Sequence, residues 1–507
     1  MIREFKDYKG NIKEYCDVCV IGSGAGGAVV AKEVAEQGHS VIVLEEGGYF
    51  TREMWNGKPA WGLANMYRNG GSTIALGNPG ISLTLGKCIG GTTTVNSATC
   101  FRTPNHVLLK WQTELGLDNL TYDRLNPYFE RVEKIINVTE LSWDILGNSA
   151  KIVKRGADKL GLNCRPLKHN VKNCKGCGTC QFGCLDGVKQ SMDVSYVPLA
   201  EKYGALFLAH CRADRLIIKE GEVRGVRGWA VDPASERDAY PVEIHAKVVV
   251  VSCGSLITPA FLKRNRLKNR NIGRHLQIHP AGRVAALMKE KIEGWKGVSQ
   301  GVYIDNFENE GIILEGIFVH PGLLLSALPG IGKEHKDLAS RFSQLAAFGV
   351  MIHDSTTGRV FRGRGRNGFL ATYFIKKIDV EKFKRGIAYT ARIFFAAGAE
   401  KVFTPIASMP VLHSMEDAEK LIGQRVKPNH IELMAFHPLG TCRMASSSRD
   451  GVVDRNGETF EVKNLYVADG SIVPTSLGVN PQETIMTLST LVAEQISARL
   501  FDKKHLP

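Results

Sequence analysis

Residues 17–46 read DVCVIGSGAGGAVVAKEVAEQGHSVIVLEE, an order of residue types that few folds satisfy. The apolar run Val18 to Ile21 reads as a buried parallel strand, and Gly22-Ser-Gly-Ala-Gly-Gly27 follows it at once. Helical periodicity continues to Gln37, Gly38 stops it, and a second apolar strand, Ser40 to Leu44, ends in Glu45. Each glycine has a reason. Gly22 permits the tight turn, Gly24 lets backbone approach a pyrophosphate, and Gly27 packs helix on strand. The helix start then offers free N–H groups and a positive dipole end to phosphates. Glu45 stands where a carboxylate accepts from an adenosine ribose. Strand, glycines, helix, strand and acid in this order predict a dinucleotide site and leave NAD and FAD both open.

A chain of 507 residues corresponds to about three domains at ~150 residues each, or to a large two-domain enzyme. With 44% hydrophobic and 23% charged residues it reads as an ordinary globular protein rather than a disordered or fibrous one. No apolar run reaches the ~18 residues of a membrane span. The start, MIREFKDYKGNIKEY, lacks the apolar region of a secretory signal, so a cytoplasmic location is expected. The net charge of +14 could serve an acidic partner, but basic residues are mostly interleaved with acids. Two clusters stand out: Arg264, Arg266, Lys268, Arg270 and Arg274, then Arg359, Arg362, Arg364 and Arg366. Solvated surface is the first reading of both, and no nucleic-acid partner is expected. Twelve cysteines without a secretory signal read as reduced thiols.

Further motifs recur along the chain. Residues 86–96 read GKCIGGTTTVN, 248–259 read VVVVSCGSLITP, 273–280 read GRHLQIHP, and 436–444 read FHPLGTCRM. From Asn464 the chain reads NLYVADGSIVPTSLGVNPQETIMTLSTLVAEQI. In order and spacing these segments, with the N-terminal unit, resemble the glucose–methanol–choline (GMC) family of FAD oxidoreductases. The segments around 106–170 and 286–430 are much less diagnostic. The resemblance implies an α/β fold: a Rossmann-type FAD-binding domain with an inserted α+β substrate domain built on an antiparallel sheet. The expected layout places the FAD-binding domain at 1–105, 191–285 and 431–507. Substrate segments fall at 106–170 and 286–430, with a cysteine-rich segment at 171–190.

The same resemblance implies that His437 faces the flavin beside a substrate hydroxyl, with Asn480 as its partner. An alcohol carbon gives up hydride only as its O–H proton leaves, so a base must sit within reach. Histidine is largely neutral at pH 7, and asparagine can donate to a developing alkoxide. Asn480-Pro-Gln-Glu483 also reads as a helix cap with proline at the first helical position, a role compatible with donation by the amide. Cofactor contacts are expected from Gly22, Gly24, Gly27, Glu45, Gly90, Gly91, Asn96, Ala213, Asp469, Gly470 and Pro481. Val95 stands where some family members carry the histidine that tethers FAD, so non-covalent FAD is expected.

Cys174, Cys177, Cys180 and Cys184 are spaced C-x2-C-x2-C-x3-C, the spacing of bacterial ferredoxins, with Gly176, Gly178 and Gly183 for the turns. An iron–sulfur centre, [4Fe–4S] or [3Fe–4S], is therefore expected, with Cys164, Cys211 and Cys253 as distant candidates for a fourth ligand. Leu185 replaces the usual proline, and no second run supplies another cluster. Structural zinc and plain reduced thiols stay open as alternatives. A cluster would relay electrons singly to an acidic acceptor protein such as ferredoxin.

Gly311 to Gly330, GIILEGIFVHPGLLLSALPG, and the buried-helix pattern ARIFFAAGA at 391–399 read as core first and as pocket lining for an apolar alcohol second. His320 reads as a satisfied core residue. The leading expectation is an FAD-dependent alcohol dehydrogenase of the long-chain-alcohol branch. A cluster-free oxidase making H2O2 and a non-redox lyase on the same fold are the alternatives.

Overall fold

The computed structural model describes residues 1–318, 320–365 and 368–504. Arg366 of the second basic cluster lies outside them. The first sheet has eight strands, in the order Ile2–Arg3, Leu206–Leu208, Val41–Leu44, Ile12–Ile21, Asp238–Val251, Glu222–Val231 and Cys211–Lys219. Leu465–Val467 pairs with the C-terminal end of Asp238–Val251. The strands from Ile2–Arg3 to Asp238–Val251 run parallel, and the last two are antiparallel. Val18–Ile21, Val41–Leu44 and Val248–Val251 are buried throughout, as strands covered on both faces must be. Helices Gly27–Glu36 and Gln482–Lys504 pack against each other. The C-terminal ends of the parallel strands open together at Ile21, Leu44 and Val251, where ligands of open α/β sheets bind.

The second sheet has twelve strands. Its main path runs Arg359–Arg362, Phe369–Tyr373, Ile74–Gly77, Ile81–Leu83, Met434–Ala435, Ala281–Leu287, Leu345–Ile352, Ile312–Gly316, Val302–Ile304 and Cys164–Pro166. Pairing is antiparallel except where Phe369–Tyr373 meets Ile74–Gly77 and Ile81–Leu83 meets Met434–Ala435. Helix Lys377–Ala396 covers one face and buries Phe383, Ile387, Ile393 and Phe394, so the 391–399 pattern is core helix. The 311–330 stretch divides into the buried strand Ile312–Gly316 and the short helix Pro321–Ser326. His320 is exposed and caps that helix, its Nδ1 accepting from Gly322 N at 3.4 Å. It is therefore no core residue, because Pro321 turns the chain out to the surface. Arg264, read as surface, is buried between the Gly365 carbonyl and Asp214. Among the described residues no helix is long and apolar enough to cross a membrane.

Candidate active site

A cavity of about 420 Å³ runs from the glycine-rich turn to the inner face of the second sheet. At one end lie Gly22, Gly24, Glu45 and Ala213, and further along come Gly91, Asn96, Asp469 and Gly470. The three motif glycines separate by function. Gly22 has φ +101°, and a Cβ there would meet Ser252 O at 2.3 Å; at Gly27 it would meet Gly22 O at 1.9 Å. At Gly24 the nearest atom is Gly91 Cα at 3.9 Å, so its missing side chain leaves open cavity. Such a cradle fits a pyrophosphate against backbone. Gly27 and Gly90 do not themselves line the cavity. Gly27 is spent on helix-to-strand packing, and Gly90 on a left-handed turn (φ +90°) whose N–H donates to Ser23 Oγ at 3.1 Å.

Glu45 is buried, and burial raises its pKa. Its Oε2 accepts from Ser23 N at 3.0 Å and Ser23 Oγ at 2.8 Å, and its Oε1 from Gly47 N at 2.9 Å. The carboxylate thus braces the glycine turn, and its remaining lone pairs are those a ribose hydroxyl could use. Asp469 is committed likewise, to Gly254 N and Ser471 N, both at 2.8 Å, and to Thr258 Oγ1 at 2.5 Å. Asn96 donates to Gln482 Oε1 at 2.9 Å and accepts from Ala98 N at 3.1 Å. Ala213 lines the cavity beside the register shift in the pairing of Cys211–Lys219.

At the other end Asn480 Nδ2 lies 3.5 Å from His437 Nε2, with Pro481 at the cavity edge. Burial lowers the His437 pKa to about 4, so the ring is neutral across the physiological range. Asn480 Oδ1 is buried and, among the described residues, caps no helix N–H. The amide is turned to the cavity instead of to the helix behind it. The sequence reading missed two groups here. Glu315, on the all-buried strand Ile312–Gly316, lines the cavity beside Asn480, whose side chain favours its charged form. Burial raises its pKa to about 7, and its Oε2 has no partner among the described residues. His279 packs edge-on to His437, centroids 5.4 Å apart, and its Nε2 accepts from Leu477 N at 2.8 Å and Gly478 N at 3.0 Å. One acid inside the apolar run IILEGIF was the available signal for Glu315. The rest of this end is largely apolar: Ile317, Leu323, Met351, Met434 and Phe436.

The cysteine run behaves differently from its spacing. Gly176, Gly178 and Gly183 take positive φ as expected of turns. They place Cys177 and Cys184 near enough to perturb each other, and Lys189 N donates to Cys184 Sγ at 3.4 Å. The neighbouring Cys177 draws the Cys184 thiol below its ordinary pKa, whereas burial raises Cys180 to about 11. Among the described residues no group of three or more His, Cys, Asp or Glu side chains is placed to hold a metal. No ligand set of an iron–sulfur or zinc centre is therefore shown among the described residues. Nor do the distant candidates complete one: Cys164 lies on an edge strand of the second sheet, Cys211 on the first, bonded to Tyr8 Oη, and Cys253 beside the cofactor cavity. The run is nevertheless tied to the cavity wall. Lys189 Nζ, fully buried, donates to the carbonyls of Thr94, Asn96 and Cys180 at 2.7, 2.9 and 2.8 Å, and Gln181 and Phe182 line the cavity.

Comparison with known proteins agrees with this geometry. Residues 63–281 and 368–489 match the two parts of the GMC oxidoreductase family, and residues 17–69 match an FAD-binding domain. An uncharacterised GMC-type oxidoreductase of Mycobacterium tuberculosis is 34% identical over 487 residues, 96% of this chain and 76% of the relative. A long-chain-alcohol oxidase of Arabidopsis thaliana is 29% identical over 525 residues, 96% of this chain and 68% of the relative. Among solved structures, the formate oxidase of Aspergillus oryzae aligns with a TM-score of 0.76 at 15% identity, over 98% of this chain and all of that one. The last shows the shared fold.

Proposed function

Because this chain belongs to the GMC oxidoreductase family, we propose that it oxidises the CH–OH group of an apolar alcohol to the carbonyl, with non-covalent FAD as cofactor. FAD, when bound, supplies the hydride acceptor. The observation that carries the reading is the pair His437 and Asn480, 3.5 Å apart at the apolar end of a cavity whose other end is a glycine cradle. A hydroxyl seated between them meets a lone pair of a neutral imidazole and an amide N–H. His437 takes the hydroxyl proton, and Asn480 donates to the oxygen as negative charge grows there. Protonated His437 is costly in a desolvated wall. Glu315, beside Asn480, supplies the compensating charge once ionised. The long-chain-alcohol oxidase relatives and the apolar residues around His437 support an apolar substrate over a sugar. No electron-carrier protein enters this reading, since the cysteine run gathers no ligand set among the described residues.

Anaerobic mixing of the FAD-loaded protein with primary alcohols of increasing chain length tests the reading. The flavin band should bleach, faster for long alcohols than for sugars. Failure of every alcohol to bleach it would overturn the proposal. Adding O2 or a dye to the reduced protein then separates oxidase from dehydrogenase.

A further inference from the structure

The second sheet has one face whose two ends differ. Strand register carries a single face across seven neighbouring strands: Phe361 beside Leu370, then Ile74, Ser82, Met434, Ala281 and Met351. The last three line the catalytic cavity. Past Ser82 the same face leaves the molecule and is bare. Ile74 is 55% exposed, Leu76 52%, Phe361 44% and Leu370 43%, and Phe374, just beyond the strand, is 65% exposed. Residues on the opposite side of these strands, Val360, Ala371, Ala75 and Ile81, are buried in the core. The shelf is therefore the cavity wall continued into solvent. An exposed apolar patch built from one sheet face, rather than scattered singly, marks an interaction surface.

We propose that this shelf docks the FAD-loaded enzyme on an anionic lipid bilayer. The charge around it selects that occupant. Arg359, Arg362, Arg364, Lys376 and Lys377 are exposed at its edge, and Arg359, Arg362, Arg364 and Lys377 pair with no acid among the described residues. A second copy seated on the shelf with the arginines near the two-fold axis would oppose arginine to arginine. A lipid surface offers acyl chains to Phe361, Leu370, Ile74 and Leu76 and phosphates to the arginines. The protein then lies on the membrane, and an alcohol dissolved in the bilayer reaches the cavity along that mostly apolar face. This inference rests on the apolar-alcohol reading for its purpose, but not for its test.

The test uses FAD-loaded protein without alcohol, sedimented with vesicles of phosphatidylcholine alone or mixed with phosphatidylserine. Binding to the mixed vesicles should be at least ~10-fold tighter and should weaken with salt. Arg359→Gln with Arg362→Gln should lower affinity about 30-fold, about fivefold per charge. Ile74→Asp with Leu370→Asp should abolish binding and leave FAD content and the oxidation of a short, water-soluble alcohol unchanged. Lack of binding to mixed vesicles, or full binding by the Asp variant, overturns the proposal. So does a wild-type dimer that the Asp variant dissociates, which would assign the shelf to a second copy. Vesicle binding by a protein that no alcohol reduces would refute the substrate reading and leave the docking surface standing.

Discussion

Gly24→Ala and Gly27→Ala add the same methyl group three residues apart, yet the structure predicts opposite consequences. The Gly27 Cβ would lie 1.9 Å from Gly22 O, where real Cβ atoms essentially never come within 3.0 Å. Both sides of that contact are backbone, so relief requires the helix to move off the strand. The cost is about 3 kcal/mol or more, and the unfolding midpoint of the FAD-free protein should fall by several degrees. The Gly24 methyl meets nothing closer than 3.9 Å, and Gly24 is not in the left-handed region, so FAD-free stability should change by less than ~1 kcal/mol. Its methyl instead occupies the cradle. Losing one or two N–H bonds to phosphate, at about 1.5–3 kcal/mol each, weakens FAD binding roughly 10- to 100-fold or more. Thermal unfolding of the deflavinated variants and titration of each with FAD read the two effects separately. Wild-type FAD affinity in Gly24→Ala, or wild-type stability in Gly27→Ala, would refute the division of labour among these glycines.

Three further outcomes follow from the same geometry. Lys189→Met strips three buried carbonyls of their donor and should destabilise the protein by about 3–5 kcal/mol, seen as a large drop in thermal midpoint. Because the Glu315 pKa is raised to about 7, the carboxyl is neutral below that pH and ionised above it; ionisation favours a proton on His437, so the flavin-reduction rate should rise with pH through about 7. Glu315→Gln should flatten that profile. Mild oxidation should join Cys177 to Cys184, identified as a cross-linked peptide, and Cys184→Ser should prevent it; stoichiometric iron and acid-labile sulfide in the purified protein would instead show the loop rearranged around a cluster.

The N-terminal unit was legible because each of its residues answers a local demand. Continuous apolar runs make parallel strands, and each of the three glycines stands where a side chain would strike backbone or ligand. The position of Glu45 was readable, but its partners Ser23 and Gly47 were not, since they depend on how the turn closes. Glu315 was hidden for the opposite reason. Nothing local distinguishes a buried acid from an exposed one until Leu345–Ile352 and Val302–Ile304 flank its strand on both edges. His279 likewise gains its place only when the loop at Leu477 and Gly478 comes back to it. The cysteine spacing was readable, but separation along a chain does not set where thiols point. The glycines turn as expected, yet Cys180 goes into the core while Cys177 stays exposed.

The account stands on His437 as the group that takes the hydroxyl proton. The most direct test is the limiting rate of flavin reduction under anaerobic conditions for wild type, His437→Ala and Asn480→Ala at matched FAD occupancy. Loss of the base should slow reduction by about 10²–10⁴-fold, and Asn480→Ala by about 10²-fold, with FAD affinity little changed. Reduction of His437→Ala within a fewfold of wild type would contradict the assignment and move the proton to another group of the cavity, with Glu315 the first to examine.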